Sequence, residues 1–181
     1  MFSFVPSKFS SSLLLITAIF SFSGMSAVSA SDLYADAEDT LPAVTLKTGS
    51  NLNADGDEAR IKQIPVLLFF SMEHCPFCNE VEEDYLKPML RNSEYDSKVI
   101  IRKIKIDDSQ FVRGFNGKDR EAGEFSDDYN ISMVPTLIIV DANGNKIAPS
   151  IIGIANKHYY SAELDDAIDT STQELRAIAK R

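Results

Sequence analysis

The chain has 181 residues, with 27 acidic and 18 basic side chains and a formal charge of −9. That balance repels phosphate backbones and anionic lipid, which argues against nucleic acid as a partner; the acidic residues are interspersed with basic and apolar ones and read as a solvated surface. There are only two cysteines, Cys75 and Cys78. A ring that short removes little entropy from the unfolded chain, so a structural staple explains them poorly.

Lys8 is the only charge before Asp32, and it precedes an apolar run from Leu13 to Phe20 that continues through small residues to Ala30. A basic start, an apolar middle and small residues at Val28 and Ala30 form the pattern of a signal peptide over residues 1–30, cleaved before Ser31. An uncleaved anchor is the alternative. Export to the periplasm or secretion follows, with no stable membrane insertion after cleavage. Residues 31–181 are then about 150 residues of one domain with one core.

Ala43 to Lys47 reads as extended, Thr48 to Gly56 as turn-rich, and Asp57 to Gln63 as a short helix. After Pro65, the run Val66-Leu67-Leu68-Phe69-Phe70-Ser71 has the length and composition of a central strand buried on both faces. Cys75 to Cys78 follow, then a helical stretch from Asn79 to Leu90, whose last turn Pro88 should kink or shorten. A second strand spans Val99 to Ile106, giving the strand–helix–strand unit of a parallel pair. A polar segment with Gly114, Gly117 and Gly123 leads to a short helix, Glu121 to Tyr129, and a strand, Thr136 to Val140. The turn at Asp141 to Asn145 makes Lys146 to Ile152 a hairpin partner. Ser161 opens a final amphipathic helix with Leu164, Ala167, Ile168, Leu175 and Ile178 as its core face. The whole is an α/β sheet domain.

A thiol at the first turn of a helix is favoured as thiolate by the unpaired N–H groups and the dipole, and Pro76 suits that turn. Cys75 therefore reads as the nucleophile, with Cys78, one turn further in, as the resolving thiol. Zinc wants four ligands, and only His74 and His158 could add to the pair. Copper(I) accepts two thiolates, with Met72, His74 and Met133 as helpers, so a copper(I) carrier stays open. No cofactor or resident metal is implied.

Strand, then Cys-Pro-Phe-Cys opening a helix, then Val134-Pro135-Thr136 before a strand and hairpin: over Ile64 to Lys180 this resembles the thioredoxin superfamily. The likeness implies a thioredoxin-like α/β fold with a central mixed sheet of four to five strands flanked by helices. It implies a redox-active Cys75–Cys78 disulfide and a cis Pro135 facing it. It also implies that Val134 pairs with bound peptide in strand fashion, and that cysteine-containing protein substrates exchange disulfides with the pair. Closer likeness is to periplasmic thioredoxin-like proteins of sulfur oxidation and cytochrome maturation, through His74 to Cys78, Glu80 to Pro88, the Phe115 to Lys118 insertion and Val134 to Thr136. The sequence shows no helical dimerisation extension, no second cysteine pair and no large helical insertion of the strongly oxidising periplasmic type, so the expectation is a monomer that acts as a reductase, with a membrane electron donor or acceptor as partner. An oxidase of the periplasmic folding type is the other direction.

Two positions depart from the family. Phe69 stands where a buried aspartate accepts the resolving thiol's proton, leaving Lys103, at the companion lysine's place, Glu80, Glu82 or water to do it. Pro76-Phe77 between the cysteines is glutaredoxin-like, yet Ile151 to Ile154 lacks the glycine pair that binds glutathione. His74, if protonated, would favour the Cys75 thiolate. Met72, Phe77, Met133 and Val134 form a candidate apolar rim for substrate, while Phe69 and Phe70 are expected in the core.

Overall fold

The computed structural model describes residues 41–180. The signal peptide expected over residues 1–30 lies outside them. Within that range, residues 42–180 form one compact unit. None of the described helices is long and apolar enough to cross a membrane.

The sheet has four strands in the order β2 (Ile100–Lys105), β1 (Val66–Ser71), β5 (Thr136–Val140), β6 (Ile151–Ile152). β1 runs parallel to β2 and antiparallel to β5, so the sheet is mixed. Every β1 residue is buried, as a strand covered on both faces requires. Alternation divides those residues between two cores. Leu67, Phe69 and Ile101 face one, with Cys78, Val81, Leu86, Tyr160, Leu164 and Ile168. Val66, Leu68, Phe70, Ile100 and Ile104 face the other, with Leu52, Phe125 and Val112.

The first core is covered by a helical run from Pro76 to Arg91 and by α5 (Tyr160–Ala179). The run is α2 (Pro76–Val81), a π-helical turn (Glu82–Leu86) and α3 (Lys87–Arg91). The effect expected of Pro88 is displaced by one turn. Its ring needs clearance from the carbonyl of Asp84, and the chain provides it by widening the turn ahead, where Lys87 N–H donates to the Glu82 carbonyl. The second core is covered by α1 (Leu52–Lys62) and α4 (Ala122–Asp127). Phe70, Phe125 and Tyr129 pack there as an aromatic trio, with ring centroids 5.3–6.4 Å apart.

Several expectations need correction. The expected helix from Asp57 begins earlier, at Leu52, because the Asn51 side chain accepts the Ala54 N–H and caps it there. Leu52 and Ala59 are buried, so the domain core starts ahead of Ile64. The segment from Ala43 to Lys47 is no strand, although Lys103 N–H donates to the Lys47 carbonyl and Thr48 bridges Lys103 at the outer edge of β2. Lys146 to Ile152 pairs with β5 only at Ile151 and Ile152, plus a bridge at Lys146; Pro149, without an N–H, lies between. The glycine-containing insertion holds a small hairpin, β3 (Phe111–Arg113) with β4 (Asp119–Glu121). On α5, Tyr160, Ser171 and Thr172 are buried while Ile178 is 65% exposed, so the apolar face ends before the last turn. Gly144 has φ +86°, and a β-carbon there would meet the Phe115 ring and the Tyr129 hydroxyl, which makes glycine necessary in the turn.

Candidate active site

β1 ends at Ser71, and the next four residues turn the chain into α2 with Cys75 as its N-cap. Asp107, just past the end of β2, fixes that turn by accepting the Glu73 N–H at 2.8 and 3.1 Å. Glu73 in turn pairs with Lys105, whose ammonium holds its carboxyl below the usual range. His74 takes a left-handed conformation, φ 54°, which aims the following cysteine at the helix start.

Cys75 and Cys78 are disulfide-bonded, with their Cα atoms 5.2 Å apart. The Cys78 N–H points at the Cys75 sulfur, 3.2 Å away. That donor belongs to the unpaired first turn of the helix, and in the reduced protein it is placed to stabilise a Cys75 thiolate. Cys78 is 2% exposed, whereas Cys75 is only half-buried. An incoming sulfur therefore meets Cys75 first. Such a pair supports thiol–disulfide exchange.

The Val134–Pro135 peptide bond is cis. Val134 packs against both cores, and Pro135 is buried, its carbonyl accepting the Gly153 N–H at 2.8 Å. The loop ahead of it is tied by Thr136, whose hydroxyl donates to the Met133 carbonyl at 2.8 Å. Met72, Phe77 and Met133 are exposed large apolar side chains, as is Ile152 beside Thr136. Sequence reasoning had not included Ile152, because a lone apolar residue in a two-residue edge strand carries no pattern. Phe69 and Phe70 are both fully buried.

The candidate proton carriers separate cleanly. Glu80 pairs with the exposed Lys157. Glu82 pairs with Lys103 at 2.5 Å, and both side chains are mostly buried. Lys103 is the direct register partner of Phe69. One further group on this face escaped the sequence reading: the Ser71 hydroxyl is buried with no hydrogen-bond partner, and nothing in the composition of β1 signals that. Among the described residues, no group of three or more histidine, cysteine or acidic side chains is placed to hold a metal ion.

A family model described as a thioredoxin-like domain matches residues 52–168, from the start of α1 into α5. The chain belongs to the thioredoxin-like domain family. Solved structures similar to this thioredoxin-like chain include mitochondrial thioredoxin 3 of Saccharomyces cerevisiae in its oxidised form, 18% identical over 69% of this chain and 94% of that one, TM-score 0.45. Poplar thioredoxin h is 21% identical over 65% and 87%, TM-score 0.47. A thioredoxin of Malassezia sympodialis is 17% identical over 74% and 99%, TM-score 0.49. No curated protein sequence matches.

Proposed function

We propose that this protein is an exported thiol–disulfide oxidoreductase that reduces disulfides in protein substrates. The observation that carries the reading is the half-buried Cys75 at a helix N-terminus, with a buried Cys78 one turn behind it and the Cys78 N–H on the Cys75 sulfur. The Cys75 thiolate attacks a substrate disulfide, one substrate sulfur leaves as thiolate, and Cys78 then displaces the other. Two electrons pass to the substrate, and the protein is left as the Cys75–Cys78 disulfide. A donor of the membrane electron-carrier class restores the dithiol.

The exposed apolar side chains Met72, Phe77 and Met133 suit an unfolded or extended polypeptide. Next to them, neither the N–H nor the carbonyl of Val134 has a hydrogen-bond partner among the described residues, so both are free to pair with a substrate strand. The reductase direction is supported by the small insertion between β2 and β5, which holds only a hairpin of two three-residue strands and the six-residue α4. Export rests on the apolar run before Ala30.

Insulin reduction by dithiothreitol tests the activity. The wild type is expected to accelerate it and Cys75→Ser to be inert; a folded wild type no faster than dithiothreitol alone overturns the reading. Cys78→Ser should accumulate mixed disulfides on Cys75. A reduction potential near about −270 mV supports the reductase direction, and one near about −120 mV reverses it.

A further inference from the structure

We propose that Glu82, held by Lys103, is the proton acceptor for the Cys78 thiol, relocating to the helix the acid that Phe69 has displaced from the strand. The inference rests on the exchange reading above and adds the residue that makes its second step possible. Cys78 is deeply buried, so its thiol has no open route to bulk solvent. Phe69, buried in the same core, carries no ionisable proton.

Glu82 lies one helical turn after Cys78, its N–H donating to the Cys78 carbonyl. Side chains at that spacing lie on one face with β-carbons about 5–6 Å apart, within reach directly or through one water. Glu82 also begins the π-helical turn, which widens the backbone at this point. Its carboxylate turns inward to Lys103, the register partner of Phe69, and does not extend to solvent.

The groups around the carboxylate are few. β2 contributes Lys103 and, two residues on along the same face, Lys105, which is taken up by Glu73; β1 contributes no charge. On the helical run itself Glu83 is taken up by Lys87, Glu80 by Lys157, and Tyr85 hydrogen-bonds the Lys157 carbonyl. Lys47, on the segment along the edge of β2, acts on Glu58 and lines a groove with Arg102 on the opposite face. Lys103 is thus the positive charge paired with the Glu82 carboxylate, and it balances the thiolate once the proton has moved.

The step balances as follows. The Cys78 S–H gives its proton to Glu82, and the sulfur attacks Cys75. The Cys75–Cys78 bond forms, the Cys75–substrate bond breaks, and the electron pair leaves on the substrate sulfur, which is protonated from solvent. In the reverse direction Glu82 returns the proton to Cys78.

The test is stopped-flow resolution of a mixed disulfide preformed between Cys75 and a peptide, from pH 5 to 10, on wild type and Glu82→Gln. Glu82→Gln is expected to leave the first attack by Cys75 within twofold, to slow resolution by about a hundredfold at neutral pH, and to restore the rate as pH rises. Wild-type resolution rates in Glu82→Gln at every pH overturn the proposal while leaving the exchange function intact; absence of exchange by wild type overturns the function itself. If Glu82→Gln does not fold, carboxylate NMR of labelled wild type decides. The Glu82 titration is expected to move on reduction of the disulfide, and an unmoved titration overturns the proposal.

Discussion

Arg102 and Lys103 are neighbours on β2 whose side chains leave the sheet on opposite faces, and each meets a carboxylate from a covering helix. Behind the sheet, Arg102 grips Asp55 of α1 with its Nε at 3.0 Å from both oxygens and Nη2 at 2.5 Å from one, and its Nη1 donates to the Ile101 carbonyl. In front, Lys103 meets Glu82 through a single Nζ–oxygen contact. A guanidinium is always charged and planar, so the rear pair is a fixed clasp. An ammonium is a point charge whose carboxylate keeps oxygen lone pairs free for another proton. One strand thus carries a structural pair and a chemical pair, told apart by donor geometry. The redox helix lies over the second.

The rear face should be the more costly to damage. Phe70→Ala opens a cavity in the aromatic trio and is expected to cost about 3–5 kcal/mol in urea unfolding. Asp55→Ala strands a mostly buried guanidinium and is expected to cost about 3 kcal/mol. Neither should change the pH profile of disulfide exchange in the folded fraction; a changed profile would blur the division between the faces. Glu82→Gln, isosteric but leaving the mostly buried Lys103 ammonium without its carboxylate, should cost about 2 kcal/mol while altering that profile. Tyr129→Phe removes the hydroxyl that donates to the Gly144 carbonyl at 2.9 Å, and about 1 kcal/mol with it.

The front face also predicts an alkaline effect. Burial first, then the hydrogen bond to Asp165, pushes Tyr95 up to about 12. A raised tyrosine favours the folded state while protonated. Its contribution is complete below the unfolded value of about 10 and fades as pH rises toward 12. Phenolate absorbance during alkaline titration checks this, and Tyr95→Phe should flatten the stability loss in that window.

Much of this was legible in the residues. The continuous apolar run of β1 and the cysteine pair opening a helix were readable because burial and helix-start chemistry leave strong local patterns, whereas the Val134-Pro135 step was readable only through the resemblance to the thioredoxin superfamily. The hairpin in the insertion was not, since three-residue strands carrying charge have no hydrophobic period. The start of α1 was missed because Gly56 reads as a turn, yet it sits inside the helix against the Ala142 carbonyl, where no β-carbon would fit. The proton carrier was narrowed only to candidates, because Glu80 and Glu82 differ by about half a turn of helix and only packing shows which one faces Lys103.

The central claim is that Cys75 is the nucleophile of this thioredoxin-like pair. It is tested most directly by alkylating the fully reduced protein with limiting iodoacetamide from pH 5 to 9 and locating the label by peptide mass spectrometry. The account predicts label on Cys75 already at the acid end, with Cys78 nearly unlabelled. Preferential labelling of Cys78, or a Cys75 that reacts only as alkaline as a free thiol, would contradict it.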